Sequence, residues 1–168
     1  MKVIRYALAA ASLWVPTNPA IASNRAGCSI ANIERQSELH NFLSKRAVQI
    51  VQLATKGEQD RLEALIESSA TVSLGRSDVG RHLGVGVQGA KALAAEMRAD
   101  NYRYRGWNYM DGAAEPCSSQ TVTVEFVNSR DKIVSQVKFT FDGGRLSDAS
   151  GWSWTYESGA LNAAQASH

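Results

Sequence analysis

The apolar residues of this chain change their period once, near residue 100. From Glu34 to about Ala99 most of them recur every three or four positions, and from Tyr102 to Tyr156 they alternate. A helical stripe and an alternating strand each bury one side. A chain that reads first one way and then the other therefore specifies helices laid against a sheet. The expected fold class is α+β, with N-terminal helices packed on a curved antiparallel sheet.

In the helical part, Leu39, Phe42, Leu43, Ala47, Ile50, Val51 and Ala54 make one stripe over Glu34 to Lys56, and Gly57 closes it. A shorter helix is expected over Glu58–Ser68. It carries Leu62, Leu65 and Ile66 on one side, with Glu58 and Asp60 at the positive end of the helix dipole. Ala70–Arg76 leans to strand. Gly75 to Gly89 reads as a glycine-rich loop, and Ala90 to Ala99 as a third helix with Leu93 and Met97.

Four strands are expected after that, over Tyr102–Tyr109, Thr121–Asn128, Lys132–Phe141 and Leu146–Tyr156. Val122, Val124 and Phe126 alternate with Thr121, Thr123 and Glu125. Val137, Phe139 and Phe141 alternate with Gln136, Lys138 and Thr140. One side of such a sheet is buried and the other is wetter. Turns are expected at Asn128–Asp131 and Asp142–Arg145.

The first residues read as an address. Lys2 and Arg5 precede an apolar run from Tyr6 to Val15. Pro16 and Pro19 break the run, and Ala20-Ile21-Ala22 has the small-x-small cleavage pattern. A run this short falls well below the roughly 20 residues that span a bilayer. The expectation is an exported chain, periplasmic or secreted, cut near Ala22 and without a membrane span in the mature part. Its parts are a leader over 1–22, an arm over 23–33, a domain over 34–157 and a disordered tail over 158–168.

The chain has 18 basic and 16 acidic residues, and Lys2 and Arg5 account for the difference. Without them the protein is formally neutral, which argues against a nucleic-acid partner. Export also favours pairing Cys28 with Cys117. A loop of that length contributes roughly 4–5 kcal/mol in the chain-entropy treatment. Two cysteines and the scattered His40, His82 and His168 supply no metal site, and no cofactor is expected.

The order helix–helix–strand–helix–strands resembles the nuclear-transport-factor-2-like (SnoaL-like) superfamily. So do Gly89-Ala-Lys-Ala-Leu-Ala-Ala-Glu-Met97, opening the third helix, and Val137-Lys-Phe-Thr-Phe-Asp-Gly-Gly-Arg-Leu146, a late strand–turn–strand. The resemblance covers most of 34–156. It implies a cone-shaped pocket between sheet and helices, and frequent homodimers through the sheet. The superfamily hosts enzymes and binding modules alike, so it does not select an activity. Ketosteroid isomerase, its best-known catalytic subgroup, implies an aspartate just after an Ala-Thr-Val strand start and a tyrosine on the first helix. Here Ala70-Thr71-Val72 is followed by Ser73 and Leu74, and residues 34–56 contain no tyrosine.

Two sets of candidate site residues follow. Asp78 and His82 lie close together in the glycine-rich segment, where the carboxylate could orient the imidazole as a general acid or base. A solvated polar loop is the plainer account of the same residues. Trp107, Tyr109, Phe126, Trp152 and Trp154 could line an apolar ligand pocket, or serve as ordinary core or a dimer interface. Gly84-Val-Gly-Val-Gln-Gly89 spells G-x-G-x-x-G, but the parallel strand–helix–strand context of a dinucleotide site is missing.

Three functions are thus in play. The chain binds a small, partly apolar molecule in the cone, or it is a lyase or isomerase using Asp78 and His82, or it is a cell-envelope protein-interaction module using the sheet.

Overall fold

The computed structural model describes residues 28, 30, 33–76, 79–97, 101–103 and 113–154. The expected leader, most of the arm, most of the Tyr102–Tyr109 strand and the tail lie outside the described residues.

The order of elements is α1 (Gln36–Lys56), α2 (Gln59–Leu65), β1 (Ile66–Arg76), β2 (Val79–Val85), α3 (Gly86–Met97), β3 (Asn101–Tyr102), β4 (Gln120–Val127), β5 (Ile133–Asp142) and β6 (Arg145–Ser153). The strands form one six-stranded sheet in the order β2-β1-β6-β5-β4-β3. Helices pack on one side of it, which is the α+β class expected from the change of period.

Three details differ from expectation. The second helix ends at Leu65, and Ile66–Ser68, read as its last residues, open β1 instead. The sheet is mixed, because β1 runs parallel to β6 while every other pair is antiparallel. Alternation along a strand carries no information about the direction of a neighbour as distant in sequence as Asp148 is from Thr71. The segment read as a loop over Gly75–Gly89 instead holds strand β2, and α3 begins at Gly86 rather than Ala90.

The G-x-G-x-x-G spelling now has a structural cause. Gly86 sits at φ 54 where the chain leaves β2 for α3, and a Cβ there would lie 2.9 Å from the Ser68 carbonyl oxygen. Gly89 packs against Gly84 and Val72. Backbone conformation and close packing, rather than phosphate binding, account for these glycines.

The inner layer lies between helices and sheet. α1 contributes Leu39, Leu43, Ala47, Ile50 and Val51, all essentially inaccessible. The sheet answers with Val122, Val124 and Phe126, with Val137, Phe139 and Phe141, and with Val72, Leu74 and Ala149. Phe126 and Phe139 meet edge to face at 6.3 Å between centroids. Phe42 is half-buried under the Arg46 guanidinium, 4.6 Å above its ring. Arg46 donates to the Gly144 carbonyl at 2.5 Å, and burial lowers its pKa from the usual arginine value.

Both expected turns are present. Gly143 and Gly144 at φ 56 and 86 form the tight link from Asp142 to Arg145, with the two positive dihedrals that a two-residue hairpin needs. The Asn128 side chain accepts from the backbone of Arg130 and Lys132, each at 3.0 Å, which closes the other turn.

The disulfide between Cys28 and Cys117 is formed, with Cα atoms 5.5 Å apart. It fastens the N-terminal arm to the segment that leads into β4. Around it, Ile30 is buried in the core, Ala114 N–H donates to Glu34 O at 2.8 Å, and Gln36 Nε2 donates to Gln120 Oε1 at 2.8 Å. Among the described residues no helix is long and apolar enough to cross a membrane.

Candidate functional site

Strand alternation sends every second side chain away from the helices. The pairing register arranges these outward residues in rows across β4, β5, β6, β1 and β2. One row is Glu125, Gln136, Trp152, Gly75 and Gly80. The next is Thr123, Lys138, Ser150, Ser73 and His82. A third is Thr121, Thr140, Asp148, Thr71 and Val85.

A groove of about 320 Å³ lies over the first two rows. Gly80 lies at its open floor, Trp152 (packed over Gly75), Gln136 and Lys138 border it, and Ser73, Ser150 and Thr123 supply hydroxyls. The indole of Trp152 rests on Gly75, where any Cβ would collide with the ring. At Gly80 the space is open, with nothing within 4 Å of a Cβ position. Two glycines side by side thus seat an aromatic ring on one strand and leave a free floor on the next.

Trp152 remains 46% exposed, as does Trp154. Large apolar side chains are ordinarily buried, so a half-exposed tryptophan on a polar sheet face calls for an explanation. The Trp154 N–H donates to Val134 O at 2.8 Å, which continues the β5–β6 ladder. Alternation then puts Trp154 on the same side as Trp152.

Lys138 is the charged residue among those lining the groove, and it is exposed. Carboxylates stand diagonally to it on both neighbouring rows. Glu125 is buried, and Gln136 Nε2 donates to its Oε1 at 3.5 Å. Asp148 accepts a hydrogen bond from the Thr71 hydroxyl. The site therefore offers one cation offset by two anions, together with an amide and three hydroxyls that both donate and accept.

The residues singled out from sequence fall in different places. His82 is exposed beside Ser73 at the margin of the groove, while its neighbour Arg81 points the other way and pairs with Glu96 on α3. Asp78, Trp107 and Tyr109 lie outside the described residues. Phe126 is wholly buried in the inner layer, on the opposite side of the sheet from Trp152. Among the described residues no three His, Cys, Asp or Glu side chains gather as metal ligands.

Sequence reasoning missed Ser73, Gly75, Gly80, Thr123, Gln136 and Ser150 as groove residues. The usable signal was the bare glycine pair beside a tryptophan strand, but only the register reveals that Gly75 faces Trp152.

No protein-family profile matches the chain, and no curated protein matches it significantly in sequence. Among solved structures it is similar to Bal32a from a soil-derived mobile gene cassette, at 11% identity. The match covers 67% of this chain and 89% of that one, with a TM-score of 0.38.

Proposed function

We propose that this chain is an exported binding module of the nuclear-transport-factor-2-like kind, and that it holds a small, partly apolar molecule. The ligand sits in the groove beside Trp152, not among the packed side chains between sheet and helices. The observation that carries this reading is the half-exposed Trp152, seated on Gly75 beside an open, polar-walled depression. A stable place for the ring and an uncovered ring face are what a stacking ligand needs.

Export rests on the leader pattern over 1–22 with cleavage near Ala22, and the Cys28–Cys117 bond agrees with an oxidising compartment. The domain then runs over 34–157. Binding is preferred to a lyase or isomerase because His82 stands outside the groove wall, exposed to solvent. A homodimer formed through this face would cover Trp152, so pairing and ligand binding would exclude one another.

Backbone-amide NMR of the oxidised protein, titrated with small neutral planar probes such as benzamide and indole, tests the location. Shifts should cluster at Ser73, Gly75, Gly80, Gln136 and Trp152. Shifts confined to α1 and the inner strand positions would place binding in the cone and overturn the assignment.

A further inference from the structure

The groove also constrains the chemistry of its ligand. A purely apolar molecule would leave Gln136, Ser150, Ser73 and Thr123 dehydrated without partners, which is costly. An anion would find Lys138, but with Glu125 and Asp148 set diagonally on either side of it. A cation would meet Lys138 at the wall. What remains is a neutral molecule with a flat apolar face and a rim of groups that donate and accept.

We propose that the groove binds a neutral saccharide, with one pyranose ring stacked on Trp152 and the next reaching Trp154. This rests on the reading of the groove as a binding site. A pyranose presents C–H groups on its faces and hydroxyls around its edge. The C–H face meets the indole, and the edge meets Gln136, Ser150, Ser73, Thr123 and Lys138. Hydroxyl partners suit Ser, Thr and Gln because each side can take either role in the bond.

The second tryptophan argues for an oligomer rather than a single sugar. Trp152 and Trp154 lie on one side of one strand, about 7 Å apart by strand rise. Both rings are half exposed, so two stacking surfaces follow one another at the end of β6.

Calorimetric titration with cellohexaose, maltohexaose and N-acetylchitohexaose tests this, with anilinonaphthalene sulfonate as an anionic control. At least one hexaose should bind, and its affinity should hold as salt is raised, since no net charge is involved. Trp152→Ala should weaken that binding about tenfold. Gly80→Val, whose Cβ would meet nothing within 4 Å, should weaken it while the thermal midpoint is kept.

If no hexaose binds but the anionic control binds in a Trp152-dependent way, the groove reading stands and the saccharide proposal falls. If none of the four probes binds, both fall. Hexaose binding that survives both substitutions would also overturn the proposal, because it would lie elsewhere.

Discussion

The two faces of one sheet have been built to different rules. Toward the helices, Val122, Val124, Phe126, Val137, Phe139 and Phe141 are almost fully buried and meet matching apolar side chains from α1 and α3. Away from them, the alternate positions carry Thr121, Thr123, Gln136, Lys138 and Thr140, none of them apolar. The inner face is explained by burial alone. The outer face is not, because Trp152 breaks its polarity at the place where two glycines make room for a ring. Where a residue has no reason in stability, its reason is sought in binding.

The largest effect should come from the inner face. Phe139→Ala removes a side chain with no exposure that packs edge to face on Phe126, and should cost about 3–5 kcal/mol. Lys138→Ala, its immediate neighbour on the outer face, should stay within about 0.5 kcal/mol. Urea denaturation of the two variants measures the contrast directly. Equal losses would mean that the outer face carries the fold too, and the division of labour would fail.

Next comes the clamp at the edge of the inner layer. Opening Cys28–Cys117, by reduction or by Cys28→Ser with Cys117→Ser, should cost roughly 2–5 kcal/mol. Amide exchange should rise around Ile30 and Ala114, where the arm meets the core. The amides of Ser73 and Ser150, in the paired strands under the groove, should keep their relative protection. Loss of protection at both places together would show that the faces unfold as one unit.

The inner face was legible in the sequence and the outer one was not, for a physical reason. Val122/Val124/Phe126 and Val137/Phe139/Phe141 announce their buried side by alternation within a single strand. β2 could not be read that way. Val79-Gly-Arg-His-Leu-Gly-Val85 is an edge strand, four of whose first residues are exposed, and its glycines lower its strand propensity. The groove depends on long-range register. Ser73 and Gly75 reach Ser150 and Trp152 only because β1 lies parallel to β6, and no local pattern encodes that pairing. Trp152 itself stood out by composition. Which face it took, and that Gly75 lies beneath it, followed only from the assembled sheet.

A subtler test acts on the seat of the ring. Gly75→Ala puts a Cβ into the indole of Trp152 and should cost about 1–3 kcal/mol, with the ring displaced. In a Trp152→Ala background the same change should be close to neutral. Such a double-mutant cycle reads the contact itself rather than either residue alone. Additive losses would show that Gly75 is required by its own strand and not by the ring. The groove would then lose its claim to a shaped wall.

The smallest expected effect separates the faces most cleanly. Gly80 is exposed in β2, opposite Gly75, and a Cβ there would meet nothing. Glycine inside a strand carries an entropic penalty of about 0.5–1 kcal/mol, so Gly80→Val should leave stability unchanged or raise it by about that much. A change that helps the fold and harms only the floor of the groove has no route to lost binding except through the groove. Thermal denaturation should therefore show a midpoint at or slightly above that of the unmodified protein, while affinity for the bound probe declines. If affinity is kept, the open floor at Gly80 is merely unused space on an edge strand. The glycine pair then has one purpose, the seating of Trp152, and the ligand contacts the ring from above without entering between the strands.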